Sequence, residues 1–267
     1  SASSAHEKLG SVTTASMEKD YFSKQSEAYK AFRPVYPDGL FDYLCRDLGS
    51  NSVVWDCATG NGQAALALRD HVLNVVASDQ SAAQLGNAPP RSGVHYLQSM
   101  AERMPLRNQS VDLVTVAQAL HWFDFDRFYA EVRRVLKPSG RIAVWTYSFL
   151  SVSPQFGKDI NDVIKAFYHN VVGPYWPPER RWVDGHYRSI PFPFDEPTLP
   201  NFSIEVQWDL SATFGYMGSW SAVQQFIKAT GRDPLPLLKE QLAAVWGDPG
   251  YRRHLDWSIG LRVGELS

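Results

Sequence analysis

Two aspartates and two glycines at fixed spacing carry the first chemical signal in this chain. In Val53-Val54-Trp55-Asp56-Cys57-Ala58-Thr59-Gly60-Asn61-Gly62 an apolar run breaks into an acidic, glycine-bearing turn, and the alanine-rich Gln63–Leu68 follows. That order is the pattern of a buried strand, a tight loop and a helix start. Gly60 and Gly62 lack a Cβ, so they accept positive φ and let a ligand lie against the backbone. A second apolar run ends in Asp79, 19 positions after Gly60. A βαβ unit places a ribose-binding carboxylate at about that distance, which points to an adenosine-bearing cofactor. Asp56 suits an amino group of the same ligand, or the plainer task of capping its own loop.

The second chemical cluster is Gln118-Ala119-Leu120-His121-Trp122, directly after the apolar run Val111–Ala117. A histidine with pKa near neutrality is suited to act as a base, so His121 is the candidate catalytic group. A structural His121 bonded to a neighbouring loop weighs equally. The other histidines show no metal-ligand spacing, and no metal is expected. Upstream, Tyr29 and Arg33 stand at i and i+4 and share a helix face. The Arg33 guanidinium suits a carboxylate in a bidentate pair, or a plain surface contact. A dense set of aromatics and prolines runs from residue 174 to 200. Trp176, Trp182 and Tyr187, with Trp122, Trp145 and Tyr147, are expected either to wall an apolar acceptor pocket or to fill an irregular core. Arg180, Arg181 and Arg188 nearby suit an acidic substrate instead.

Alternating elements must position these groups. Strands are expected over 52–57, 74–78, 93–98, 111–117 and 141–147, with helices over 63–69 and 125–136. Lys137-Pro138-Ser139-Gly140 supplies the second helix stop. Such alternation gives an α/β fold with a doubly wound parallel sheet. Prolines at the density of 174–200 disfavour regular structure and suggest a lid. A strand over 204–210, helices over 220–228 and 235–246, and a last strand over 254–266 complete the reading. The expected organisation is a tail or expression remnant over 1–19, a binding core over 20–150, a lid insertion over 151–200 and completion of the core over 201–267.

Composition limits the alternatives. The chain has 267 residues, 44% of them hydrophobic, enough for a large core. Net charge is −2 and no basic block stands out, which argues against an extended nucleic-acid footprint. The two cysteines, Cys45 and Cys57, sit in apolar contexts, so a disulfide framework is not expected. No run reaches the ~18 apolar residues of a membrane span. A soluble, cytoplasmic protein without a membrane partner is the expectation, and oligomeric state stays open.

The ordered motifs resemble class I S-adenosylmethionine-dependent methyltransferases. Asp56-x-Ala58-x-Gly60-x-Gly62 is similar to the first motif of that family, with alanine at its first glycine position. Ala101-Glu102-Arg103-Met104-Pro105, the Asp112-to-Trp122 stretch and Arg134-Val135-Leu136-Lys137-Pro138-Ser139-Gly140 match later motifs in order. Ser26 to Pro37 resembles the entry helix of small-molecule members similar to trans-aconitate methyltransferase. The resemblance implies a Rossmann-like, seven-stranded, mostly parallel sheet with an antiparallel last strand, and S-adenosyl-L-methionine as cofactor. It further implies cofactor contacts at Tyr29, Arg33, Asp56, Ala58, Gly60, Gly62, Asp79, Gln80, Ala101 and Gln118. Ala101 stands where many members have an acid against the adenine, so apolar packing is expected there. The implied reaction is methyl transfer to a small molecule, O-methylation of a phenol or a carboxylate. Two other readings stay open: a nicotinamide oxidoreductase on a similar sheet, and an inactive cofactor-binding interaction protein.

Overall fold

The computed structural model describes residues 33–266, with the side chains of 154–156 excepted. The tail over 1–19, Tyr29 and most of the entry helix lie outside the described residues. The first described helix, α1 (Asp38–Cys45), buries Leu40, Phe41, Leu44 and Cys45. Then come β1 (Val53–Cys57), α2 (Gln63–Leu68), β2 (Asn74–Asp79), α3 (Ala82–Gly86), β3 (Val94–Gln98) and β4 (Val111–Ala117). After a 3₁₀ turn over Leu120–Trp122 follow α4 (Phe125–Val135) and β5 (Leu136–Val152). The seven strands form one sheet in the order β3-β2-β1-β4-β5, extended at one edge by β7 (Arg253–Glu265) and β6 (Phe202–Trp208). Pairs β1/β2, β1/β4, β2/β3 and β4/β5 are parallel; the sheet is mostly parallel with antiparallel last strands.

This order has a mechanical consequence. The chain leaves β1 towards β2 and β3 on one side, and leaves β4 towards β5 on the other. The carboxyl ends of β1 and β4 are therefore the switch point, where an open α/β sheet leaves a crevice for a ligand.

The strands form where buried apolar runs demand it. β1, β4 and the middle of β5 are covered on both faces, so they read as continuous apolar stretches. Strand alternation divides β5 cleanly. Ile142 and Val144 join the core cluster with Phe128, Val132 and Val135 of α4. Trp145 turns the other way and meets Phe41 of α1 at a ring distance of 6.2 Å.

Polar residues of the later motifs fasten the same frame. The Asp112 carboxylate accepts from Val53 N–H at 2.8 Å and from Lys137 Nζ, tying the starts of β1 and β4 to the start of β5. Arg134 donates to both Glu131 oxygens, to the carbonyls of Met104 and Leu106, and to Asn108. Its guanidinium holds the Glu131 carboxyl below the usual range. Arg134→Ala leaves two carbonyls and a carboxylate short of donors, and should lower stability by about 2–3 kcal/mol. A urea-unfolding midpoint unmoved by that change would show the 104–108 loop to be held by other contacts.

Several elements differ from the sequence expectation. β5 starts at Leu136, directly on the end of α4, with a register shift against β4 between Val111 and Leu113, and it runs on to Val152. Three segments were not expected: α5 (Pro154–Ala166), the π-helical Phe167–Val171 that continues it, and a short helix, α6 (Arg180–Asp184), inside the proline-rich stretch. Beyond β6 come α7 (Leu210–Gly218), α8 (Ser221–Thr230) and α9 (Leu235–Trp246), of which α7 was also unforeseen. The alternating-strand and helix-period signals for the other late elements placed them within two residues.

The described chain divides into two compact units, along boundaries other than the 151–200 lid. One comprises Tyr36–Leu150, Pro178–Glu205 and 256–266; the other comprises 33–35, Ser151–Pro177 and Val206–Leu255. The reason is packing. Val183, Tyr187 and Ile190 belong to the same buried cluster as β1, β4 and α4, with Trp182, Phe192 and Phe194 partly buried against it. Prolines limit helix there to the short α6 without barring burial. In the second unit Tyr168, Trp176 and Trp220 pack ring on ring, with centroids 5.0 to 5.9 Å apart.

Candidate active site

Four residues at the carboxyl ends of β1 and β4 have left-handed backbone: Ala58 (φ 53°), Gly60 (58°), Gly62 (84°) and Gln118 (59°). Glycine adopts that conformation freely; alanine and glutamine do so at a cost of about 1–2 kcal/mol. Such outliers gather where a ligand needs the backbone turned towards it. A Cβ built on Gly60 meets nothing within 4 Å, so open space lies beside it, whereas at Gly62 it falls 2.5 Å from Tyr96 Oη. Conformation thus calls for glycine at both positions, and at Gly62 packing does so as well. Ala58→Gly should raise stability by about 0.5–1 kcal/mol, the strain relieved less the entropy lost. A drop in melting temperature would instead show that the Ala58 methyl packs usefully.

Asp79 stands at the end of β2, where the sequence placed it. Its Oδ2 accepts from Gly60 N–H at 2.9 Å and its Oδ1 from Ser81 N–H at 2.8 Å. Each oxygen has a second lone pair, so the carboxylate fixes the glycine loop and still has capacity for two ribose hydroxyls. Gln80 is exposed beside it, and its carbonyl accepts from Gln98 Nε2 at 3.0 Å. Ala101 is buried at 9% exposure while Met100 stands 53% exposed, so apolar surface occupies the expected adenine flank.

Asp56 behaves as a loop anchor. It is 1% exposed, and its oxygens accept from Thr59 Oγ1 at 2.5 Å and Thr115 Oγ1 at 2.7 Å. Burial pushes its carboxyl up to about 6, against the lowering by those two hydroxyls. Thr115, missed from sequence, was legible in principle: it is the one hydroxyl in the apolar run of β4 and pairs with Asp56 in the β1/β4 register.

Gln118 turns its side chain back onto β5. Its Nε2 donates to Tyr147 O at 2.9 Å, and its Oε1 accepts from Thr146 Oγ1. Its strained backbone is tied to the same strand, with the N–H donating to Trp145 O at 2.9 Å.

His121 lies on the 3₁₀ turn after β4, with Nδ1 2.8 Å from Tyr187 Oη. Burial first, and the Arg180 charge second, push the imidazole down to about 4. Tyr187 has no exposed surface, and burial holds its hydroxyl protonated. The Trp122 ring lies 4.7 Å from the His121 ring, tilted at 46° to it, and is 58% exposed.

Within the unit that holds β1 to β5, the aromatics expected to wall a pocket fall on two faces of β5. Trp145 and Tyr147 are on the α1 face of β5, packed on Tyr36 at 5.6 and 6.1 Å. Tyr187 and Trp182 belong with α4 on the other face, and Trp176 belongs to the second unit, as does Arg33. Trp145 and Tyr187 are fully buried, so neither offers an exposed wall. Trp122 keeps the exposure a wall requires. The Trp145 indole N–H is buried without a hydrogen-bond partner among the described residues.

The residues present therefore fit an adenosine-bearing cofactor at the β1/β4 switch point. Comparison with known proteins says which one. Residues 55–144 match the methyltransferase domain family. A Dictyostelium discoideum protein assigned as a methyltransferase is 34% identical over 239 residues, 88% of this chain and 89% of that protein. The solved structure of a protein assigned as a type II methyltransferase from Anaeromyxobacter dehalogenans has a TM-score of 0.81 at 40% identity, covering 88% of this chain and 98% of that one. A malonyl-[acyl-carrier protein] O-methyltransferase of Marinomonas is 35% identical over 138 residues, 48% of this chain and half of that protein.

Fold and site thus define a methyltransferase on a doubly wound sheet. The chain belongs to the class I S-adenosylmethionine-dependent methyltransferases, and its cofactor is S-adenosylmethionine.

Proposed function

We propose that this chain methylates an oxygen of a small carboxylic acid. The observation behind this reading is the state of His121. With its pKa pushed down to about 4, the ring is neutral at working pH and a weak base. A phenol, with pKa ~10, is poorly served by such a group, while a carboxylate needs no base at all. The cofactor supplies a sulfonium-bound methyl group for in-line displacement. The chain's own task is then to orient the acceptor oxygen and exclude water. Arg180 has the charge for an anionic acceptor; it reaches Asp184 at 3.2 Å and Ser148 O at 3.4 Å, with its side chain 21% exposed. Trp122 offers apolar surface for the remainder of the molecule. An O-methyl transfer named for the Marinomonas relative supports the same chemistry. Charge and patterning give no support to a nucleic-acid acceptor.

Arg180→Gln tests the placement. The KM for a carboxylate acceptor should rise roughly 10- to 100-fold, the loss expected on removing a charge-assisted hydrogen bond, with cofactor affinity unchanged. An unchanged KM would remove Arg180 from the acceptor.

A further inference from the structure

We propose that Tyr96 is a positioning residue for the cofactor: its phenol backs the glycine loop and holds Gly60 to Gly62 in the shape that receives S-adenosylmethionine. The two glycines differ in their surroundings. A Cβ on Gly60 meets nothing within 4 Å, which leaves space there for a ligand. A Cβ on Gly62 would fall 2.5 Å from Tyr96 Oη and 3.2 Å from its Cε1 and Cζ, so the edge of the ring lies against the Gly62 backbone. The loop is open at one glycine and stopped at the other.

The ring that stops it is itself held. Tyr96 lies on β3, in register with the buried Ala77 of β2. Its hydroxyl donates to Pro89 O at 3.1 Å, in the segment that joins α3 to β3. That segment is fastened in turn to α2, which starts directly after Gly62. Arg91 Nη1 donates to Leu66 O at 2.8 Å and its Nη2 to the Asp70 carboxylate, while Arg69 Nε donates to Ser92 O at 2.6 Å. The 89–92 segment therefore clasps α2 through the arginines over Leu66–Asp70 and through Tyr96 at Gly62. Glycine at φ 84° has many other conformations within reach. The Tyr96 ring removes those that swing Gly62 towards β3. A loop already in its bound shape binds with a smaller ordering cost. The inference concerns the cofactor side and holds for whichever acceptor is used.

Calorimetric titration of the full chain with S-adenosylhomocysteine, in a cycle of variants at positions 62 and 96, tests it. Tyr96→Phe keeps the ring and removes the hydroxyl, and its Kd should rise about 3- to 10-fold, the range of one hydrogen bond. Tyr96→Ala should bind more weakly still. Gly62→Ala should lose a larger factor in the wild-type background than in Tyr96→Ala, where the clash with Oη is gone and only the strained φ remains. A ring that merely packs would lower the melting temperature of Tyr96→Ala and leave the Kd of both Tyr96 variants at the wild-type value. That result overturns the proposal, as does an equal fold-loss for Gly62→Ala in the two backgrounds. The two Tyr96 variants decide the matter by themselves where Gly62→Ala does not fold.

Discussion

Asp79→Ala lowers the affinity for S-adenosylmethionine roughly 10- to 100-fold, about 1–3 kcal/mol, the expected cost of removing a charged hydrogen-bonding partner. Two losses add. The ribose hydroxyls lose the acceptor that the residue offers at the end of β2. The Gly60 and Ser81 amides, at 2.9 and 2.8 Å, lose the carboxylate that holds the glycine loop in place. Asp79→Asn separates them, because its one carbonyl oxygen can serve either the loop or the ligand but carries no charge. It should fall between wild type and alanine. Titration with S-adenosylhomocysteine followed by calorimetry measures the series, and an alanine variant that binds as tightly as wild type would displace the ribose from Asp79.

The second large effect is on stability against pH, where two buried groups of the site oppose each other. His121 has a folded pKa of about 4 against 6.5 for the free side chain. Between those values the unfolded chain binds more protons, so acidification from 6.5 to 4 removes stability. Asp56 has a folded pKa of about 6 against 3.8. Between those values the folded chain binds more protons, so acidification over the same window adds stability. Each shift corresponds to about 3 kcal/mol, so the two slopes nearly cancel in wild type. His121→Asn should expose the Asp56 slope, with unfolding free energy gaining about 2–3 kcal/mol relative to wild type as pH falls from 6.5 to 4.5. Asp56→Asn should show the reverse. Urea unfolding across that range decides it: slopes of the same sign in both variants would contradict the burial assigned to one of the two.

Much of the binding half of the molecule was legible in the sequence, and for a physical reason. The strands β1, β2 and β4 are buried on both faces, so they read as continuous apolar runs. Left-handed turns demand glycine or tolerate little else, so Gly60 and Gly62 announce themselves. The acceptor half was less legible because packing, rather than spacing, decides it. Aromatic residues over 174–194 look alike as a string, yet Tyr187 enters the core on a strained backbone while Trp176 joins a different unit. The face of β5 on which Trp145 falls depends on register, which the chain between 136 and 147 conceals by a shift against β4. Thr146 carried no signal of its own; only the folded sheet brings its hydroxyl to Gln118.

Transfer of label from S-[methyl-³H]adenosylmethionine to a mixed panel of small carboxylic acids and phenols tests the central claim most directly. The account predicts volatile label released by mild alkali, the behaviour of a methyl ester, from one or more carboxylic acids. Label found only in alkali-stable phenol ethers would contradict it.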